Sequence, residues 1–141
     1  MTLPAVKIDP RVLALEQEMM RHPQLDLKVL HHFLPGVYMR ELFIPKDTLL
    51  TGKIHKYEQL NFLLVGELAV LVGDEVRRVI APFLVVSPPG TKRIAYAHQD
   101  SVWVTVHQTH LTDLKEIEQT FVAQNEQEYL AFEAAKQLKA A

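Results

Sequence analysis

Four side chains in a short stretch have the types and spacing to do chemistry. Lys53, His55, Tyr57 and Gln59 alternate along the chain, so in an extended strand all four face one way. The imidazole is the versatile member, able to bind a metal or to hydrogen-bond a ligand near neutral pH. The run Ser87-Pro88-Pro89-Gly90-Thr91-Lys92-Arg93 follows, a tight turn that delivers a guanidinium. Further on, Trp103, Thr105 and His107 alternate with Val102, Val104 and Val106. By pattern alone the all-valine face is the core and the mixed face is outside. If the mixed face turns inward instead, His55, Trp103 and His107 surround one pocket with Arg93 beside them. Lysine and arginine have donors and no lone pair to give, and neutral amides such as Gln59 are poor ligands for zinc-like metals. A cavity holding Lys53, His55, Arg93 and His107 is rich in positive charge and suits a small anionic or polar ligand. For a metal it offers only His55 and His107.

The other histidines are weaker. His31 and His32 are neighbours in sequence and point to different sides of a strand or helix. His22 precedes Pro23 and reads as a helix end, His98 as part of a loop cap, and His110 lacks a partner by spacing. Glu58 points away from the His55 face unless a bulge intervenes. None of these histidines adjoins a serine or cysteine nucleophile, and no glycine-rich phosphate loop precedes a helix. Arg93 has an alternative fate as the ion-pair partner of a buried carboxylate such as Glu41.

The elements that must position these residues follow from periodicity. Pro10 suits a helix start, and Val12, Leu13, Leu15 and Met19 form an apolar stripe that stops near His22-Pro23. Residues 25–34 fit a helix or a strand and end at Pro35-Gly36. Strands are expected over 37–44, 51–57, 60–65, 68–72, 76–80, 83–87, 92–98 and 102–108, with turn-forming residues at each break, Gly73-Asp74 among them. Asp113 with Glu116 and Asn125 with Glu128 read as helix caps. The chain divides into an N-terminal arm with helices (1–36), a jelly-roll barrel (37–110) and a helical tail (111–141).

The 141 residues suit one domain, with 48% apolar and 23% charged residues. Fifteen Lys and Arg against seventeen Asp and Glu leave a net charge of -2, which argues against general nucleic-acid binding. There is no cysteine, which excludes disulfides and fits a reducing cytoplasm. No basic start with a long apolar run marks a secretory signal, and no stretch approaches the ~20 residues that span a bilayer. A cytoplasmic location is the expectation.

The order of the His55 strand, the Gly66 turn and the Pro88-to-Arg93 run resembles the two sequence motifs of the cupin superfamily, whose small barrels hold a metal or ligand in the mouth. On that resemblance the first motif's histidine positions fall on Lys53 and His55, its carboxylate on Gln59 or, with a one-residue slip, on Glu58, and its glycine on Gly66. The second motif fits Pro88 and Gly90, with Arg93 where the last histidine belongs. A four-ligand metal site is therefore not available. Residues 50–56, 86–93 and 96–107 also resemble small cupin-like proteins encoded by tailed bacteriophages, a group largely without assigned activity. The resemblance favours the mixed Trp103, Thr105, His107 face as the inner one.

The expected protein is thus a mainly β, cupin-type jelly roll that binds a small anionic or polar ligand through Lys53, His55, Gln59, Arg93, Trp103 and His107, with no resident cofactor. A non-catalytic assembly protein, such as a virion accessory component docking on virion proteins, is the alternative. In that case Tyr57, Phe62 and Trp103 would plug the cavity. A metal-dependent enzyme is disfavoured by Lys53, Gln59 and Arg93. A homodimer is expected, through sheet edges or the apolar tail face of Leu130 and Phe132.

Overall fold

The computed structural model describes residues 8–72 and 74–140. Residues 1–7 of the expected N-terminal arm, and Gly73 of the Gly73-Asp74 turn, lie outside the described residues. Helix α1 (Pro10–Met19) starts as expected, with Asp9 accepting from the Arg11 N–H and Pro10 in the first turn. Its Glu16 carboxylate accepts from both Thr51 Oγ1 and Lys92 Nζ, each at 2.7 Å, which ties α1 to the strands behind the motif turn.

The barrel that follows is antiparallel sheet. One sheet has the order β1 (Val29–Leu34), β2 (Val37–Ile44), β10 (Ser101–Gln108), β5 (Gln59–Val65), β8 (Phe83–Ser87). The facing sheet runs β3 (Leu49–Thr51), β9 (Ile94–Ala97), β6 (Glu67–Val72), β7 (Glu75–Ile80). Of the ambiguous 25–34 segment, residues 29–34 resolve as strand. Its Val29 and Phe33 are strand formers, and the Pro35-Gly36 turn, with Gly36 at φ +82°, folds it back onto β2. The pairing sequence reasoning drew as one strand over 51–57 is broken. Thr51 ends β3, and β4 is only Ile54–His55, paired with β11 (Val122–Ala123) from the tail. The expected helical tail therefore contains a short strand between α2 (Leu114–Phe121) and α3 (Glu126–Ala140). Both helices carry the expected caps, Asp113 accepting from the Glu116 N–H and Asn125 from the Glu128 N–H.

Between the sheets, one end is apolar. Ile44, Leu63, Leu68, Val70 and Ala97 form its core, with Leu42 and Trp103 packed on it. Burying a side chain the size of Leu63 contributes roughly 1.5–3 kcal/mol. A smaller cluster of Ile8, Ile54, Ala123 and Tyr129 fixes the helices against the opposite end. Tyr129 closes on the motif turn: a Cβ added at Gly90 (φ +80°) would stand 2.9 Å from its ring.

Gly66, at φ +98°, connects the two sheets between β5 and β6. A Cβ there would overlap Ser101 Oγ and stand 2.5 Å from the Asp100 carbonyl oxygen. Gly66→Ala should therefore lower the urea-unfolding free energy by at least ~2 kcal/mol. Gly52→Ala, whose new Cβ would meet nothing nearer than 3.7 Å, should change it by less than about 1 kcal/mol.

Candidate functional site

The inner face of the first sheet is unusual in its polarity. Strand parity turns Gln59, Asn61 and Leu63 of β5 inward, and Trp103, Thr105 and His107 of β10 with them. The mixed face of β10 is thus the inner one, although Val104 on the other side is buried too. Across β10, register places Arg40 opposite Thr105 and Tyr38 opposite His107.

These side chains are joined by hydrogen bonds. Thr105 Oγ1 donates to Asn61 Oδ1 at 2.9 Å, and Asn61 Nδ2 donates to Ser87 Oγ at 2.7 Å. Arg93 Nη2 donates to the same Ser87 oxygen at 2.7 Å. Asn61, Ser87 and Thr105 are all buried, so the chain is satisfied within the protein and holds the guanidinium at the mouth. Among the described residues no carboxylate pairs with Arg93; Glu41 instead lies on the outer face and meets His32 Nε2 at 2.6 Å. Burial pulls the Arg93 pKa below its usual value, and an arginine so placed remains charged.

The polar end encloses a cavity of about 70 Å³ lined by Lys53, His55, Gln59, Asn61, Arg93 and Trp103, with Gly52, Thr91 and Thr105 completing the wall. Five of the six residues expected at a site meet there. The sixth, His107, lies behind His55, its ring stacked on His55 at 5.9 Å, on Tyr38 at 6.0 Å and against Phe121 at 4.5 Å. Among the described residues two buried side-chain atoms have no partner, His55 Nδ1 and Gln59 Oε1. Lys53 is turned toward α2 and pairs with Glu118. Tyr57 departs from the expected face because the strand ends at His55. Its ring packs edge-on to Phe121 and Phe132. Phe62 points outward, opposite Gln59 and Asn61 along β5, so neither it nor Tyr57 plugs the cavity.

Sequence reasoning missed Asn61, Ser87 and Arg40. For Asn61 the signal was present, a second amide two residues after Gln59 in an otherwise apolar strand. Arg40 shares the alternation of Tyr38, Leu42 and Ile44, and strand parity would have turned it inward.

The donor set does not suit a resident divalent metal. Among the described residues no three His, Asp or Glu side chains converge, and two stacked imidazoles present faces to each other, not lone pairs to a shared ion. At the remaining motif positions stand cations and an amide.

No family model matches the chain, and no curated protein matches it in sequence. Solved structures do. A cupin superfamily protein from Desulfitobacterium hafniense aligns over 75% of this chain and 94% of its own, at 9% identity and a TM-score of 0.50. The chain has the cupin fold. A candidate ethanolamine utilization protein Q from Salmonella typhimurium covers 60% of this chain and 71% of its own at 12% identity, also with a TM-score of 0.50. An RmlC-like cupin from Shewanella frigidimarina has 17% identity over 58% of this chain and 75% of its own, with a TM-score of 0.49. At these identities the likeness is one of fold. The cupin architecture accounts for the mouth between the sheets, and the residues lining it are this chain's own.

Electrostatics at the mouth disfavour imidazolium. Burial first, then the neighbouring His107, Arg40, Arg93 and Lys53, bring the His55 pKa down to about 4. Burial and Arg40 do the same for His107, also to about 4. Both rings are neutral in the folded protein at pH 7. As pH falls from the ordinary histidine value of 6.5 toward about 4, the unfolded chain takes up protons first. Stability is therefore complete above that window and lost within it. The loss by about pH 5, above most of the carboxylate range, should be at most ~2 kcal/mol per ring. Urea unfolding at about pH 5 and pH 7.5 should show the drop, and His107→Phe, which keeps a stacked ring, should roughly halve it. An unchanged drop in that variant would place the proton uptake elsewhere.

Proposed function

We propose that this cupin barrel binds a small oxyanion, such as a carboxylate or phosphate group, in its mouth, without a metal. The observation that carries the reading is Arg93: a half-buried guanidinium with no carboxylate partner among the described residues, lining the same cavity as the unpartnered His55 Nδ1 and Gln59 Oε1. A buried cation is costly until an anion or a set of dipoles compensates it. Ser87 Oγ supplies one acceptor, and a bound oxyanion supplies the charge. A ligand with a hydroxyl beside the anionic group would also satisfy the two orphaned atoms. At about 70 Å³ the cavity admits the anionic head of a ligand, whose remainder would leave through the mouth past Trp103 or Lys53.

The resemblance of residues 50–56, 86–93 and 96–107 to small phage-encoded cupin-like proteins belongs to the same reading, which puts the protein in the host cytoplasm or on the virion. Among the described residues no helix is long and apolar enough to cross a membrane. The assembly reading keeps one specific observation in its favour, an apolar outer sheet face.

Trp103 is the chain's single tryptophan and lines the cavity, so its emission reports on this one place. Titration with phosphate and small carboxylates, after dialysis against a chelator, should quench or shift it saturably. Arg93→Ala should weaken the response by about tenfold or more, since a charge-assisted hydrogen bond is worth ~1.5–3 kcal/mol. Lys139→Ala, in the tail helix, should leave it alone. A flat response to every anion, or equal effects of the two substitutions, contradicts the proposal. A response abolished by the chelator and restored by a divalent metal would return the protein to the metal-dependent class.

A further inference from the structure

A second arginine shares the inner face of the first sheet. Arg40 alternates along β2 with Tyr38, Leu42 and Ile44. Leu42 and Ile44 pack in the core between the sheets and Tyr38 stacks on His107, so strand parity turns Arg40 inward with them. Register sets it beside Thr105, which lines the cavity, on one side and beside His31 on the other. None of its N–H donors meets an acceptor among the described residues. His31 is already engaged, its Nδ1 sharing a hydrogen bond with Tyr38 Oη at 2.7 Å. Glu41, next in sequence, faces the other way and meets His32. The fold offers Arg40 a place and no partner for its charge.

That charge nonetheless reaches the site. Behind burial, Arg40 is the group that lowers the His107 pKa, and behind burial and His107 it acts on His55. It also acts on Glu118, whose pKa is lowered first by its hydrogen bond with Lys53. Lys53 lines the cavity and pairs with that same carboxylate, so the way out of the cavity on the Lys53 side leads toward Arg40. Glu118 neutralises Lys53, which leaves two guanidinium charges, Arg93 in the cavity and Arg40 beyond it. We propose that Arg40 forms a second anion subsite, and that the ligand is a dicarboxylate with one acid on Arg93 and the other on Arg40. The inference rests on the oxyanion reading of the mouth and adds the second charge of the ligand. Spacing sets its length. Arg93 is held at Ser87, which is bonded to Asn61 of β5, while Arg40 stands on β2, two strands from β5. At ~4.8 Å per strand the anchors lie ~10 Å apart across the sheet before their side chains turn toward one ligand. A short flexible diacid such as glutarate has that reach, and acetate or phosphate occupies one end only.

Glutarate and pentanoate differ only in the second carboxylate, so their titration by calorimetry and by Trp103 emission isolates the second subsite. The wild type should bind glutarate about tenfold or more tightly than pentanoate, the effect of one further charge-assisted contact. Arg40→Gln should remove that preference and leave pentanoate binding unchanged, Arg40→Lys should keep part of it, and Arg93→Ala should weaken both acids. Equal binding of the two acids by the wild type would overturn the inference whatever the variants do. So would an Arg40→Gln variant that keeps the preference or loses both acids alike. In each of those cases bound pentanoate or phosphate would leave the oxyanion reading standing, whereas a wild type that binds no anion at all would overturn both.

Discussion

The structure depends on how a barrel interior can hold an arginine. A guanidinium removed from water must be compensated, or the cost falls on the fold. Here compensation begins with a relay of neutral groups: Thr105 donates to Asn61, Asn61 to Ser87, and Arg93 to Ser87. The relay crosses from β10 through β5 to β8 and then to the residue that precedes β9, so it fixes both sheets as well as the side chain. It supplies dipoles and no formal charge. The positive field that remains also reaches the imidazoles, where burial, Arg40 and Arg93 keep His55 neutral. On the proposed reading, the mouth is a site prepared for negative charge from outside the chain.

The same arrangement fixes what the outside of the sheet must be. In a strand every second residue faces one way, so placing Arg40, Thr105 and Asn61 inward forces Glu41, Val104 and Phe62 outward. A barrel that spends its inner face on polarity has its apolar surplus on the outer one. The pocket and the exposed apolar face are thus two results of one register.

Much of this was legible in the sequence. Turn residues separated the strands, capping pairs marked both tail helices, and the motif turn brought Arg93 to His55. The failures have specific causes. Period two was extended through Tyr57, but pairing with β11 ends after His55 and the chain turns away. No local pattern announces a two-residue strand made by a tail more than 65 positions later or tells that Phe121 covers His107. Hydropathy alone ranked the two faces of β10 the wrong way round, since the apolar face is the outer one. Asn61 and Arg40 were readable by parity, yet polar residues inside an apolar strand were not followed across the sheet to their partners.

Thermal unfolding of Arg93→Met, with and without phosphate, tests the central claim most directly. If Arg93 is a charge awaiting an anion, the variant should melt at or above the wild-type temperature without phosphate, because it removes an uncompensated buried cation while Asn61 still satisfies Ser87. Phosphate should then raise the wild-type melting temperature by mass action and leave the variant unmoved. A variant that melts lower without phosphate, yet gains as much from phosphate as the wild type, would mean that Arg93 is a structural residue and that the mouth is not an anion site.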